Sequence, residues 1–258
     1  MEEYKIDMRY RQMFYKKNPQ LVKRMSDFLK INNLYRCLLV NKFFVYTDKL
    51  SKYGYPFTNI IDTWALENST TIHYFNHSFD KGIIKNNYAK DISNHYTGVK
   101  LTADIDSQKD EELSKIKKKS VRVDILSDDK HLNEMKQVIN NFYDEAKDRC
   151  DIDKDELELQ FSGNGFYIRP KEVYYGTVEQ IAELEGQWLK LIMRVNENGG
   201  GCKIDDRSSA WNRFFKCGFS FHSTYNRLSI PVNIKDLNLE YLIKYSNPDN
   251  YLKGEMIK

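Results

Sequence analysis

The chain has 258 residues, of which 41% are hydrophobic and 14% are aromatic. This composition supplies a sizeable core and argues against a disordered protein, because disordered chains are poor in aromatic residues. Lys and Arg number 40 and Asp and Glu number 37, so the net charge of +3 permits a nucleic-acid partner without demanding one. No apolar run reaches the roughly 18 residues of a membrane span, and the sequence after Met1 lacks the apolar stretch of a signal peptide. We therefore expect an intracellular, cytoplasmic protein with no membrane partner.

Cysteine spacing and the absence of linkers bear on metals and on domain count. The four cysteines are too scattered for a zinc site, so we expect no zinc. No internal repeat and no Pro- or Ser-rich linker divides the chain, which predicts a single domain over residues 1–258. The Lys-rich segment Ser114–Ser120 (SKIKKKS) is open to two interpretations, a solvated surface segment or a contact with a phosphate backbone.

The N-terminal third is predicted to form a helix followed by strands. Four apolar side chains fall on one helical face, namely Leu21, Met25, Phe28 and Leu29. The β-branched and aromatic segments Asn41–Tyr46 and Thr71–Phe75 predict strands. Between them, the aromatic segment Tyr53–Phe57 (YGYPF) suits either core packing or a stacking platform for bases.

The middle and C-terminal parts alternate strands and helices. From Val99 to Asp106 apolar and polar residues alternate, which predicts one half-buried strand. Apolar residues at helical spacing predict helices over His131–Arg149 and Val178–Val195, and a short helix is predicted over Ser208–Phe215. Further strands are predicted at Leu157–Phe161, Phe166–Arg169 and Arg227–Ile234. Because β-α-β spacing is not regular, this order indicates a mixed α/β or α+β fold.

The first candidate site is the carboxylate pair Asp104 and Asp106. Alternation along the strand puts both side chains on its polar face, about 7 Å apart along the backbone. Two carboxylates held together repel unless a cation neutralises them, and oxygen ligands suit Mg²⁺ or Mn²⁺. Taken alone, the pair is more simply explained as two solvated aspartates at a strand end.

The second and third candidates are polar loops. Ser162–Gly165 (SGNG) lies between two predicted strands, where exposed backbone amides can cradle phosphate oxygens, although Asn-Gly is also an ordinary hairpin turn. Lys216–Pro231 contains Lys216, His222 and Arg227 together with hydroxyl groups, a set that suits a triphosphate or simply a polar loop. Upstream, Asp205 and Asp206 offer a further acidic position.

In order and spacing these elements resemble the three motifs of the archaeo-eukaryotic primase superfamily, in particular those of the catalytic small subunit of archaeal and eukaryotic DNA primases. The family's Asp-hydrophobic-Asp motif is matched by Asp104–Asp106, its strand-turn-strand motif by Phe161–Arg169, and its hydrophobic-Asp motif by Ile204-Asp205. The most specific stretch is Phe214–Pro231, where a Lys, an F-S-x-H and an R-x-S-x-P recur in the family's register. The resemblance covers roughly residues 95–235.

The resemblance implies the fold and its divisions. The family fold is a mixed α/β (α+β), two-lobed catalytic core with a C-terminal module similar to an RNA-recognition module, and the active site lies in the cleft between the lobes. On this chain it implies N-terminal lobe elements over about residues 1–95, a motif-bearing core over 96–235 and a C-terminal tail over 236–258.

The resemblance also implies residue roles. Asp104, Asp106 and Asp205 would be the catalytic ligands of two divalent ions, Mg²⁺ or Mn²⁺, and Lys216 and His222 would neutralise the triphosphate. Arg227 would support the loop or contact phosphate. The implied nucleotide-binding set is Ser162, Gly163, Asn164, Tyr167, Arg169, Lys216, Ser220, His222 and Arg227.

The implied activity is that of a DNA primase or primase-polymerase. Such an enzyme uses nucleoside triphosphates and a single-stranded DNA template to make primers, at the nucleoid or another replication site. Since no helicase motif or zinc module accompanies the motifs, a large primase subunit or a helicase is expected to assist in trans.

Three departures from the family pattern keep other interpretations open. The cysteine-rich zinc element common in replicative small subunits is missing, which leaves open any partner role assigned to that element. Tyr167 stands where the second motif has a His, and Arg169 on the same strand face is a candidate to compensate. Asp205 is preferred to Asp206 as the third carboxylate because Ile204 precedes it. The main alternative is a weakened primase-fold module that binds nucleotide or single-stranded DNA without turnover. A nuclease or rolling-circle initiator is a further alternative, although no His-hydrophobic-His motif is present.

Overall fold

Three antiparallel sheets and the helices that flank them make up the fold of the computed structural model. The structure describes residues 8–32, 34, 37–40, 43–46, 72–79, 96–117, 121–198, 202–209, 213–222, 225–254 and 256. Among the helices of these residues, none combines the length and the apolar character needed to cross a bilayer.

The N-terminal elements are two helices and a set of short strands. Helix α2 starts with Pro19 at its first position, where the missing amide costs nothing. In chain order the elements are α1 (Met8–Lys17), α2 (Pro19–Ile31), β1 (Cys37–Val40), β2 (Phe43–Tyr46), β3 (Ile72–Phe75), β4 (His77–Phe79) and β5 (Tyr96–Val99).

The remaining elements alternate strands and helices. The two long helices are capped at their N-termini by side chains, Asp128 for α4 and Thr177 for α5. In chain order they are β6 (Ala103–Asp106), α3 (Glu111–Lys117), α4 (Asp129–Cys150), β7 (Leu157–Phe161), β8 (Gly165–Pro170), β9 (Tyr174–Tyr175), α5 (Val178–Glu197), β10 (Lys203–Ile204), β11 (Phe214–Lys216), β12 (Ile230–Val232), α6 (Leu239–Ser246) and α7 (Pro248–Leu252).

The central sheet has the strand order β10-β6-β8-β7-β12. Its first four strands follow the chain order β6-α4-β7-β8-α5-β10, a split β-α-β arrangement of the kind that RNA-recognition modules use. One face is apolar and joins the buried sides of α4 and α5 in a single core, in which the ring centroids of Phe142 and Trp188 lie 5.2 Å apart. The opposite face carries the polar side chains of the site.

The chain crosses between sheets, which joins its N-terminal and C-terminal parts. The second sheet has the order β11-β3-β1-β2, so that β11, which follows the central sheet's β10 in the sequence, pairs with the N-terminal strand β3. The third sheet, β4-β5-β9, likewise combines early and late strands. The predicted divisions at residues 95 and 235 stay predictions, and residues 239–252 of the predicted tail form α6 and α7.

Most of the elements predicted from the sequence are present, and the predicted mixed α/β (α+β) fold is confirmed. Two predictions were wrong. The segment predicted as one strand from Val99 to Asp106 forms β5 and β6 in different sheets, and Lys100 and Thr102 between them are fully buried. The helix predicted over Ser208–Phe215 is instead a 3₁₀ turn at Asp206–Ser209 followed by strand β11.

Burial of Lys100 depends on a charged cluster between the sheets. Its Nζ lies 3.4 Å from Glu158 Oε1 and donates to Asn32 Oδ1 at 3.2 Å. Glu158 also accepts a hydrogen bond from Arg169, and Arg169 in turn donates to the hydroxyl of Tyr74 on β3. Burial lowers the pKa of Lys100 to about 8, against the opposing effect of Glu158. One carboxylate therefore serves two buried cations and links the central sheet to the second sheet.

We predict that Glu158→Gln destabilises the fold by about 3 kcal/mol, because it leaves Lys100 and Arg169 buried without their counter-charge. Urea unfolding measures this loss. The matched control is Glu197→Gln, which breaks an exposed pair with Arg194 at 3.3 Å and should cost at most about 0.5 kcal/mol. Equal midpoints for the two variants would contradict the role given to Glu158.

Candidate active site

The three aspartates of the predicted metal site lie on one face of the central sheet. Asp104 and Asp106 alternate on β6 with Ala103 and Ile105, both of which are fully buried on the opposite face. In the β10–β6 pair Ile204 lies opposite Ile105, and the next amide, that of Asp205, donates to the carbonyl of Asp104 at 2.8 Å. Directly opposed residues of an antiparallel pair share a face, so Asp205 lies beside Asp104.

Burial and mutual repulsion shape the charge of this group. Burial, and after it the neighbouring Asp106, raise the pKa of Asp104 to about 7, while Lys216 and Arg213 act in the opposite direction. The pKa of Asp106 is raised by burial and by Asp205, against the effect of Arg122. Asp104 and Asp106 therefore influence each other and Asp205 electrostatically, and burial makes their ionised forms less favourable.

Four cations face the aspartates, and three of them, all arginines, were missed in the sequence. One is the exposed Arg207, whose Nε lies 3.5 Å from Asp205 Oδ1. Lys216, the last residue of β11, is buried and interacts electrostatically with Asp104 and Asp106, which oppose the lowering of its pKa to about 8 by burial. Arg122 Nη2 lies 2.6 Å from Asp106 Oδ2, and Arg213 donates to Asp205 Oδ2. All three arginines lie outside the motifs.

The carboxylate oxygens of the three aspartates suit a hard divalent cation, but in the present arrangement they do not converge on one point. Carboxylate oxygens are the ligands that Mg²⁺ and Mn²⁺ prefer, and a raised carboxyl pKa indicates a need for positive charge. Across the described part of the chain, no three His, Cys, Asp or Glu side chains converge as a metal site. Arg122 instead pairs with one oxygen of Asp106, and Arg213 and Arg207 pair with the two oxygens of Asp205. The chemistry of the three carboxylates therefore fits the ions, which would compete with these arginines for the same oxygens.

The Ser162–Gly165 turn lies against the loop that carries His222. Gly163 adopts φ +107°, and a Cβ added there would meet His222 Cβ at 2.7 Å. The amide of Ser162 donates to the carbonyl of Gly165 at 2.9 Å, which closes the turn. A Cβ on Gly165 would meet the carbonyl oxygen of Ile105 at 2.4 Å, so this glycine permits the close β6–β8 pairing next to Asp106.

Arg227 holds this turn in place. Its Nη1 and Nη2 donate to the two carboxylate oxygens of Asp124 at 2.7 and 2.8 Å, and Nη1 also donates to the carbonyl of Gly163 at 3.3 Å. Burial opposes ionisation of Asp124, but hydrogen bonds from Arg227 and from the amide of Leu126 lower its pKa. Of the two roles that the resemblance allowed for Arg227, its contacts match loop support.

Asn164 acts as a clamp on the preceding segment. Its Oδ1 accepts from the amide of Ile125 at 3.0 Å, and its Nδ2 donates to Ser107 Oγ at 3.0 Å and to the carbonyl of Val123 at 2.9 Å. The side chain is buried and fully engaged within the protein. Its predicted phosphate contact therefore finds no support in its side-chain geometry.

His222 is a neutral hydrogen-bond donor rather than a second positive charge. Burial, followed by the nearby Lys216, Arg227 and Arg11, lowers its pKa to about 2. Its Nδ1 accepts from the amide of Tyr225 at 3.2 Å, so the ring proton belongs on Nε2. The positive charge beside the aspartates thus comes from Lys216 and from three arginines, Arg122, Arg207 and Arg213.

Three predicted nucleotide contacts lie in the framework beneath the site. Tyr167 lies opposite Asp104 in the β6–β8 pair but is buried, with its ring 5.4 Å from that of Phe215. Arg169 is committed to the charged cluster of Glu158, so its contacts do not support compensation for the missing histidine. Ser220 Oγ accepts from the amide of Ile72 at 2.7 Å and is fully buried.

Two segments were left open in the sequence analysis. Tyr53–Phe57 lies outside the described residues. In Ser114–Ser120, Lys115 and Lys117 are exposed on α3, and residues 118–120 lie outside the described part.

Comparison with a solved structure of low sequence identity supports the fold. No protein-family model matches the chain, and no curated protein matches it in sequence. The chain is similar to the solved polymerase domain of Ligase D from Mycobacterium tuberculosis in complex with DNA. The TM-score is 0.56 and the identity 10%, and the match covers 92% of this chain and 87% of that one. At this identity the likeness establishes a polymerase-like fold.

We predict that Gly163→Ala lowers the free energy of unfolding by about 1–3 kcal/mol, since the new Cβ would strain the backbone and collide with His222. Urea unfolding measures the loss. Gly186→Ala on α5 is the matched control: it meets nothing within 4 Å and should stabilise the helix by about 0.5–1 kcal/mol. A neutral Gly163→Ala would show that the two loops are not in contact.

Proposed function

We propose that the chain is a template-directed nucleotidyltransferase of the primase-polymerase type, which joins nucleotides from nucleoside triphosphates on a single-stranded DNA template. The observation that carries this proposal is the meeting of Asp104, Asp106 and Asp205 on one face of the sheet, opposite Lys216. The likeness to a polymerase domain solved with DNA supports the same reaction class.

The proposed metal ligands are Asp104, Asp106 and Asp205, which would hold two Mg²⁺ or Mn²⁺ ions. When bound, such ions activate the attacking 3′-hydroxyl and stabilise the charge of the pyrophosphate leaving group. The chain's own contribution is a rigid strand pair that fixes the three carboxylates before any ion arrives.

The phosphate side of the site is proposed to lie between the cations and the Gly163 turn. Lys216 supplies a buried positive charge, and Arg213 becomes available for a phosphate once an ion takes its place on Asp205. His222 Nε2 would add a hydrogen bond, held in the correct tautomer by Tyr225. Arg227 acts through Gly163 and is therefore a positioning residue.

A second candidate function is a module that binds nucleotide or single-stranded DNA without turnover. It is favoured by the burial of Tyr167 against Phe215, because the hydroxyl that replaces the motif's imidazole is not presented to a phosphate. The two functions differ only in whether bound nucleotide is incorporated. Synthesis of replication primers, and help from a large primase subunit or a helicase, remain finer proposals on the same basis.

The test is primer extension with Mn²⁺ or Mg²⁺ alongside direct Mn²⁺ binding. Asp104→Asn and Asp205→Asn should each reduce extension at least a hundredfold, about 2.7 kcal/mol of transition-state stabilisation, and weaken Mn²⁺ binding. Asp206→Asn is the matched control: its side chain is exposed beyond the strand pair, and it should retain both properties. Nucleotide binding by wild type without incorporation would select the binding module. Full activity of Asp104→Asn would overturn the proposed site.

We further predict that Arg122→Gln tightens Mn²⁺ binding about threefold to fivefold, because it frees Asp106 from a half-exposed ion pair. Electron paramagnetic resonance of free Mn²⁺ measures this in the absence of nucleotide. Arg194→Gln removes the same charge from an exposed helix position and should have no effect. Unchanged or weaker binding in Arg122→Gln would show that the arginine does not compete with the ion.

A further inference from the structure

The helical pair α1–α2 concentrates the positive charge of the chain. Between Met8 and Ile31 there are seven Lys and Arg residues and one acidic residue, a local net charge of +6 in a protein whose total is +3. The single acidic residue, Asp27, lies 3.8 Å from Lys23. Five of the basic side chains are exposed, namely Arg9, Lys16, Lys17, Lys23 and Arg24. Such clustering is the electrostatic footprint of a polyanion.

An aromatic pocket opens beside this basic pair. It has a volume of about 210 Å³, and its wall is formed by α2, the loop after β11, strand β12 and the two C-terminal helices. Tyr241 and Tyr245 are stacked within it, with ring centroids 4.2 Å apart, and both are partly exposed. Its other principal lining residues are Arg24, Phe219, Pro231 and Tyr251.

Pro231, which lines the pocket at the edge strand β12, lies on the same face of the central sheet as the aspartates. Pro231 on β12 is paired with Gln160, Gln160 with Tyr167, and Tyr167 with Asp104, so all four belong to one cross-strand row. Three strand spacings separate the ends of this row, a distance of about 15 Å. The loop after β11 borders both places, because it begins at Lys216 and contributes Phe219 to the pocket.

The backbone at Phe219 is held in an uncommon conformation that places its ring in the pocket wall. Its φ is +63°, in the left-handed region that non-glycine residues rarely adopt. Its amide donates to the carbonyl of Ser229 at 2.5 Å, its carbonyl accepts from the hydroxyl of Tyr15 at 3.2 Å, and the guanidinium of Arg24 lies 5.7 Å from its ring centroid. Strain that the surroundings enforce in this way is a mark of functional positions.

We propose that this pocket binds a base of single-stranded nucleic acid whose phosphate backbone runs along α1 and α2. The inference rests on the proposed function, since it supplies a place for the template strand. Aromatic faces beside a basic groove are the means by which proteins hold single strands without reading their sequence. The volume is below the roughly 300–1,000 Å³ of pockets for drug-sized ligands and therefore suits one base. Arg24 lies at the junction, where it can contact the base or the adjoining phosphate.

The test is fluorescence anisotropy of a labelled oligothymidylate of about 16 nucleotides, without metal or nucleotide. Tyr245→Ala should weaken binding about tenfold through the loss of one stacking partner, and Tyr245→Phe should restore it. Arg24→Gln should lower the slope of log affinity against log salt by about 0.7, the contribution of one phosphate on a single strand. Tyr175→Ala, at an exposed tyrosine on β9, and Arg194→Gln are the matched controls and should bind as wild type.

The outcomes separate this inference from the proposed function. Unchanged oligothymidylate binding in Tyr245→Ala would overturn the pocket as a base site. The same result is expected if the pocket instead binds a proline-rich peptide. The proposed function is tested separately by Asp104→Asn, which should lose primer extension but bind oligothymidylate as tightly as wild type. An oligouridylate of equal length distinguishes DNA from RNA as the preferred strand. Thermal unfolding of Tyr245→Ala verifies that the variant is folded.

Discussion

The pairing of β10 with β6 is the constraint on which the site depends. It brings Asp205 beside Asp104 from a distant part of the sequence, and with Asp106 it confines three carboxylates to one partly buried face. Burial, followed by repulsion, raises the pKa values of Asp104 and Asp106, and the cations opposite them act in the other direction. The fold provides these cations from three separate segments, and each cation is a group that an anionic substrate could also use.

Local patterns predicted much of the framework. The helical spacing of apolar residues identified α2, α4 and α5, because each buries one face in the core. The alternation around Ile105 placed Asp104 and Asp106 on a shared face, and the short motif at Ile204-Asp205 selected the aspartate that the register now sets beside them. These features could be predicted because each is a property of a few consecutive residues.

Other features depend on residues that are distant in sequence and could not be predicted. The strand break after Val99 is invisible locally, because burial of Lys100 requires Glu158. Arg122 and Arg213 belong to no motif, and only their ion pairs with Asp106 and Asp205 place them at the site. Arg169 was predicted to contact the nucleotide because it shares a strand face with Tyr167. Its guanidinium instead donates to the hydroxyl of Tyr74 and pairs with Glu158. Phe214 and Phe215 were predicted to end a helix, but they pair with β3 as part of a strand in the second sheet.

The position of β11 has a consequence for how the protein can be divided. Asp104 and Asp106 belong to the central sheet, whereas Lys216 ends a strand that is hydrogen-bonded to β3. A cut anywhere between β6 and β11 would leave the two carboxylates on one fragment and the ammonium group on the other. Neither fragment would have a balanced set of charges, so any activity would return only when the two pieces reassociate. The charge balance of the site therefore depends on both parts of the chain, and activity recovered from two mixed fragments would measure their association.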